Sequence, residues 1–311
     1  MNKKYTQYYV RVSVIKEGFY GLIFLCLYMG NMPIAKAQEI CPDSKWPSEP
    51  WELISHQVDS GVYGIMGRTN VIVADQWVDS SLQTVYVGTE NSGLWRTENF
   101  TDDRPKWDCL TEGFRYPGAA GAVDVSINPK NTDHILVGTG VGVIYQWEYG
   151  AGILQSTDHG NSWKKSPTAP DENRNFYNVF QKVAFLPSRK NNWKKQPVIA
   201  FSGRSIFTSS NSGTTFTEVY KMTATNEKKD QNCFHDLAVH PFRRGICFAS
   251  GADHHKHAQN SPLLVSSDYG EKWKDITYLL LDSSETLGQN RILRIDLSIS
   301  QLQPDVLWAY L

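Results

Sequence analysis

The chain has 311 residues, 41% of them hydrophobic and 20% charged, with 31 Lys plus Arg against 32 Asp plus Glu. That length can hold one large core. A formal charge of −1 argues against the broad basic face that a nucleic-acid partner requires. No run of helical period is long enough to matter, so the chain reads as all-β.

The first segment reads as targeting information. Lys3, Lys4, Arg11 and Lys16 form a basic lead, and the apolar stretch 18–30 is short for a membrane span. Ala35-Lys36-Ala37 is a small-x-small cleavage site. The expectation is a cleaved signal peptide over 1–37, a mature chain beginning at Gln38, no membrane span after cleavage, and export to the periplasm, cell surface or medium. The mature chain would keep 26 basic and 31 acidic residues, which again points away from nucleic acid. Cys41, Cys109, Cys233 and Cys247 remain. An exported chain can hold disulfides, and four cysteines allow about three pairings, which stay open here. Residues 38–60, with Pro42, Pro47 and Pro50, read as a lead-in segment.

From residue 61 onward the chain repeats. A degenerate copy comes first: Thr84-Val-Tyr-Val-Gly-Thr89, then Gly93-Leu-Trp-Arg-Thr-Glu-Asn99, then Trp107, with 101–106 as a loop insertion. The next copy runs Asp124-Val-Ser-Ile-Asn-Pro129, Ile135-Leu-Val-Gly-Thr-Gly140 and the box Ser156-Thr-Asp158-His-Gly160-Asn-Ser-Trp163. The third runs Lys182-Val-Ala-Phe-Leu-Pro187, Val198-Ile-Ala-Phe-Ser-Gly203 and Ser209-Ser-Asn211-Ser-Gly213-Thr-Thr-Phe216. The fourth runs Asp236-Leu-Ala-Val-His-Pro241, Ile246-Cys-Phe-Ala-Ser-Gly251 and Ser266-Ser-Asp268-Tyr-Gly270-Glu-Lys-Trp273. A last copy starts at Arg294-Ile-Asp296. Positions 99, 158, 211 and 268 lie 59, 53 and 57 residues apart. A near-constant period of this size marks a repeat architecture.

Each box has the chemistry of a tight turn. Ser and Asp or Asn side chains bond nearby backbone N–H groups, Gly supplies positive φ, and the aromatic opens the next strand. Two short apolar runs precede each box, one strand enters it and one leaves. Four strands per unit, repeated, predict the blades of a β-propeller, four of them and the start of a fifth over 61–311. That incomplete count predicts further blades or domains C-terminal to Leu311.

The boxes resemble Asp-boxes, or BNR repeats, of sialidases, sortilin-type receptors and xyloglucanase-type glycoside hydrolases. Gly64-Ile-Met-Gly-Arg-Thr-Asn70, with the Val-Gly-Thr and Gly-Leu-Trp runs after it, resembles exported sortilin-like propellers of Bacteroidetes. The resemblance implies an exported propeller that binds an extracellular glycan or protein. It implies two alternatives: a glycoside hydrolase of the same build, or a sortilin-like fragment holding peptide. The sialidase Arg-Ile-Pro motif is absent; Arg68 in Gly-Arg-Thr-Asn is a faint echo and a candidate ligand contact.

Ser156, Asp158, Gly160, Trp163, Asn211, Gly213, Phe216, Ser266, Asp268, Gly270 and Trp273 are therefore assigned to turn structure. Chemistry, if any, belongs to the other face. Tyr145, Trp147 and Glu148 form an aromatic insertion suited to stacking on a sugar ring. Asp124, Asp236 and Asp296 recur at one place in successive innermost strands, with Lys182 at the fourth. They are the candidate carboxylates for glycosidic hydrolysis, which needs a pair. The Asp253-His254-His255-Lys-His257 run reads as a solvated loop, so neither a metal nor any other cofactor is expected.

Overall fold

The computed structural model describes residues 69–76, 82–90, 92–111, 121–140, 150–167, 179–188, 191–222, 233–252, 261–280 and 294–310, and the backbone of 24–28. In chain order the strands are β1 (Phe24–Tyr28), β2 (Thr69–Ala74), β3 (Val85–Thr89), β4 (Leu94–Thr97), β5 (Asp108–Cys109), β6 (Ala122–Ile127), β7 (Ile135–Thr139), β8 (Ile153–Ser156) and β9 (Lys164–Ser166). They continue with β10 (Lys182–Phe185), β11 (Val198–Ser202), β12 (Ser205–Ser209), β13 (Thr217–Lys221), β14 (Cys233–Val239), β15 (Cys247–Ala252), β16 (Leu263–Ser266), β17 (Lys274–Asp275), β18 (Asp296–Ile299) and β19 (Val306–Tyr310).

Among the described residues these make four four-stranded antiparallel sheets in the orders β2-β3-β4-β5, β6-β7-β8-β9, β10-β11-β12-β13 and β14-β15-β16-β17. A fifth sheet has the order β1-β19-β18. Each four-stranded sheet is a meander of sequence neighbours, and the sheets stand in a β-propeller arrangement. The outermost strands begin at Lys164, Thr217 and Lys274, one residue beyond the box aromatic. The aromatic itself turns inward: Trp163 Nε1 donates to the carbonyl of Leu110 in the preceding sheet at 3.0 Å. β1 lies inside the predicted leader, so cleavage after Ala37 would remove it from the fifth sheet.

Register explains the packing. Opposed residues on neighbouring strands share a face. One face of each sheet carries an apolar row: Ile72–Val87–Trp95, Val125–Val137–Leu154, Val183–Ala200–Phe207, Leu237–Ala249–Leu264 and the pair Leu297–Ala309. The other face carries Val73–Tyr86–Arg96, Ser126–Leu136–Gln155, Ala184–Ile199–Thr208, Ala238–Phe248–Val265 and Ser298–Trp308. The first kind of face packs on the second kind of the preceding sheet. Val125, Val137 and Leu154 meet Val73 and Tyr86, Val183, Ala200 and Phe207 meet Leu136, Leu237, Ala249 and Leu264 meet Ile199, and Leu297 and Ala309 meet Ala238 and Phe248. Leu154 and Ile199 are fully buried, each contributing about 1.5–3 kcal/mol relative to exposure.

Candidate functional site

The innermost strands of four of the five sheets carry a charged residue at one equivalent position. Register is interrupted between Thr69 and Val71, Ala122 and Asp124, and Phe234 and Asp236. A bulge re-aims the residue that follows it. It puts Val71, Asp124 and Asp236 at one equivalent position, opposite Gly88, Gly138 and Ser250. Lys182 opposite Phe201 and Asp296 opposite Tyr310 complete the row. The structure thus brings together the three candidate acids and Lys182.

Their contacts run from sheet to sheet. Asp124 Oδ2 accepts the backbone N–H of Val183 at 2.9 Å, and Ser126 Oγ accepts that of Phe185 at 3.0 Å. Lys182 Nζ pairs with Asp236 Oδ1 at 3.2 Å. Asp236 Oδ2 accepts the N–H of Leu297 at 2.7 Å, while its Oδ1 accepts that of Leu237. His235 Nε2 lies 2.9 Å from Asp296 Oδ1, and Arg294 grips the same carboxylate through Nε and Nη2. Every one of these acids is therefore a tie between successive innermost strands.

The electrostatics follow from that crowding. Burial holds the Asp124 carboxyl above its usual range, against the pull of Lys182 and the Val183 N–H. Burial works against the Lys182 charge, yet the facing carboxylates of Asp124 and Asp236 prevail and raise its pKa. Asp296 loses some hydration, but Arg294 and His235 outweigh this and lower its pKa. Burial, with Arg294 close by, lowers that of His235.

The eight-residue turns lie between the third and fourth strands of their sheets and share one wiring. Ser156 Oγ donates to Asp158 Oδ1 at 2.8 Å and accepts the Gly160 N–H at 2.8 Å; Asp158 Oδ1 also accepts the Ser162 N–H at 2.9 Å. Ser209, Asn211, Gly213 and Thr215 repeat it at 2.8, 2.9 and 3.0 Å. Ser266, Asp268, Gly270 and Lys272 repeat it at 2.9 Å throughout. In the degenerate copy Thr97 Oγ1 donates to Asn99 Oδ1 at 2.9 Å, and that oxygen accepts the Lys106 N–H across the inserted loop. The residue before each Gly is also left-handed, His159, Ser212 and Tyr269 having φ of 60°, 58° and 64°. Sequence reasoning assigned positive φ to the Gly alone.

Sequence reasoning also missed the residue just after three of the innermost strands, β6, β14 and β18. Asn128 Oδ1 accepts the Lys130 N–H, His240 Nδ1 those of Phe242 and Arg243, and Ser300 Oγ that of Leu302. A short polar side chain ahead of a turn was the available signal. Arg68, Tyr145, Trp147 and Glu148 lie outside the described residues, as do Asp253, His254, His255, His257 and Cys41. Cys233 and Cys247 pair with Ala252 and Val239 at opposite ends of the β14–β15 ladder, so they do not bridge each other.

No family model matches this chain, and no curated protein matches it. Among solved structures it is similar to the GH74 xyloglucanase from Xanthomonas campestris, with 15% identity over 73% of this chain and a TM-score of 0.47. It spans 34% of that enzyme. It is also similar to YCF48 bound to D1 peptide, at 13% identity over 85% of this chain and 70% of that one, TM-score 0.45. YCF48 from Cyanidioschyzon merolae follows at 12% identity, with 80% and 71% coverage and a TM-score of 0.42.

Proposed function

We propose that this is an exported Asp-box propeller, cleaved after Ala37, that acts as a binding or surface-interaction module for an extracellular glycan or protein. The observation that carries this reading is the engagement of the inner-row acids. Asp236 is held by Leu297 N–H, Leu237 N–H and Lys182, and Asp296 by Arg294 and His235. A general acid or base must be free to exchange a proton with substrate, and a carboxylate tied to backbone N–H groups and a cation is spent on structure. Binding would then fall to other residues, and Tyr145, Trp147, Glu148 and Arg68 remain those proposed to touch ligand.

One observation favours the hydrolase alternative. Asp124 is kept protonated more readily than an ordinary carboxylate, and an acid of raised pKa is what leaving-group protonation uses. The two readings separate in one experiment. The purified protein is incubated with a polysaccharide panel, and both retention on immobilised glycan and release of reducing ends are measured. Retention without release, unchanged in Asp124→Asn, supports the binding module. Release abolished by Asp124→Asn in a folded variant establishes the enzyme. Capture of extended peptide in place of glycan would favour a sortilin-like role. N-terminal sequencing of the exported protein should begin at Gln38.

A further inference from the structure

The bulges of the innermost strands leave one side chain only half used. Each sets an extra residue opposite no partner: Asn70 in β2, Val123 in β6 and His235 in β14. Bulges of this kind re-aim side chains and gather beside functional sites. Asn70 spends its amide nitrogen on the carbonyl of Ala122 in the next sheet, at 3.3 Å. His235 makes the matching reach, its Nε2 lying 2.9 Å from Asp296 Oδ1 in the next sheet. A carboxylate only accepts, so this contact puts the ring proton on Nε2 and leaves the lone pair on Nδ1. Burial, with Arg294 close by, lowers the pKa of His235 and favours the neutral ring. Its Nδ1 has no partner among the described residues and is not one of their enclosed atoms. The side chain keeps 23% exposure. A tie to the next sheet needs one donor, as Asn70 shows, so the second nitrogen of His235 is left over.

The surroundings define what could use it. Lys182, in the sheet before, pairs with Asp236, the chain neighbour of His235, at 3.2 Å. Its ammonium also feels the Asp296 carboxylate that holds the imidazole. The Lys182 side chain keeps 33% exposure, and an ammonium has N–H groups to spare beyond a single contact. An acceptor nitrogen and a cationic donor therefore share one place on the inner row, with a described sheet on either side of it. A hydroxyl serves both from one atom, whereas a peptide amide offers donor and acceptor on opposite sides. We propose that His235 is a ligand contact of this protein, its Nδ1 accepting a hydrogen bond from a sugar hydroxyl that in turn accepts one from Lys182. This rests on the reading of the protein as a glycan-binding module and adds the place and the chemistry of the contact. Asp296 then acts through His235 by holding its tautomer, and Asp236 acts through Lys182.

The test begins on the full chain without ligand. Long-range proton–nitrogen correlation on protein carrying isotope-labelled histidine should show Nε2 of His235 protonated and Nδ1 bare at neutral pH; a proton on Nδ1 instead overturns the proposal. Retention is then measured on immobilised β-glucan, galactomannan, xylan and arabinogalactan for the wild type and for His235→Gln. The Gln amide can still donate to Asp296, but the Nδ1 acceptor is gone. The wild type should be retained on at least one polymer. The variant, shown to be folded by circular dichroism, should bind it about tenfold more weakly, the cost of a ligand hydroxyl left without its acceptor. Oligosaccharide cut from that polymer should move the Nδ1 resonance of the wild type far more than the Nε2 resonance. If His235→Gln does not fold, this resonance measurement, which needs no variant, decides. Equal retention of wild type and variant, or an unmoved Nδ1 resonance beside clear retention, overturns the proposal and leaves the binding module standing. Failure of the wild type on all the polymers overturns the proposal together with the glycan reading. His235-dependent retention of an extended peptide in place of glycan overturns the sugar hydroxyl as the ligand group.

Discussion

The carboxylate of Asp236 on β14 accepts the backbone N–H of Leu297 on β18 at 2.7 Å, joining the innermost strands of two sheets. Its other oxygen pairs with Lys182 of the sheet before, at 3.2 Å. One side chain thus spans three sheets. Asp236→Ala removes a charge-assisted hydrogen bond and leaves a largely enclosed ammonium facing one acid fewer. The expected cost is about 2–4 kcal/mol of stability. Urea denaturation checks it, and Asp236→Asn, which keeps an acceptor for Leu297, should lose less. A variant as stable as wild type would remove the structural role and return Asp236 to the candidate catalytic residues.

The turn glycines are fixed by two independent constraints. Gly213 has a φ of 80°, and a methyl group there would lie 2.7 Å from Leu136 Cδ1 in the preceding sheet. Gly213→Ala therefore meets backbone strain of about 1–2 kcal/mol and an overpacking term besides. Leu136→Ala on its own costs stability by opening a cavity. The double variant should nevertheless lose less than the sum of the two singles, because the shortened side chain relieves the clash. Thermal unfolding of all four proteins reads this coupling; strict additivity would show that backbone strain is the whole effect.

Spacing made the sheets legible because each turn is a local device. Ser, Asp or Asn, and Gly satisfy one another within eight residues, so the pattern survives in a single sequence. The recurrence of Asp124, Asp236 and Asp296 was equally visible, but their bonding was not. The partner of Asp124 is a backbone N–H in a strand that begins 58 residues later, and a backbone donor leaves no trace in sequence. The same holds for the buried polar cluster between the second and third sheets. Asn128, His134 and Gln155 are all enclosed, yet nothing in their local sequence distinguishes them from turn residues. Periodicity foresaw the alternation of faces along each strand; it did not foresee which large residue, Tyr86, Leu136, Ile199 or Phe248, would occupy the centre of each interface.

That cluster supplies a pH dependence. His134 is wholly buried, and desolvation pushes its pKa down to about 4. Its Nδ1 faces the Asn128 amide nitrogen at 3.1 Å, whose orientation is set by Lys130 N–H on Asn128 Oδ1. A proton on Nδ1 would set one donor against another, the Asn128 amide N–H. Because the folded pKa lies below the ordinary histidine value near 6.5, this contribution is intact above about pH 6.5 and lost as pH falls towards 4. The loss should approach about 3 kcal/mol. Chemical denaturation of wild type and His134→Gln across that window measures it. The stability difference between the two proteins should shrink on acidification; a constant difference would exclude His134 as the titrating group.

Cys247 offers a probe of how closed the third and fourth sheets are to one another. It is fully buried beside Ile199, Phe201 and Leu264, and burial pushes its thiol pKa up to about 12, with Ser266 opposing the shift. A thiolate is the reactive form, so both exclusion and protonation protect it. Alkylation at about pH 8 should leave Cys247 unmodified in the native protein and label it fully in denaturant. Peptide mapping after a pulse of reagent distinguishes the two states. In Gly270→Ala, where a methyl group would meet Ile199 Cδ1 at 2.6 Å, the same interface is forced apart and labelling of Cys247 should accelerate before global unfolding. Equal labelling rates in both proteins would mean that the Gly270 contact does not hold that interface shut.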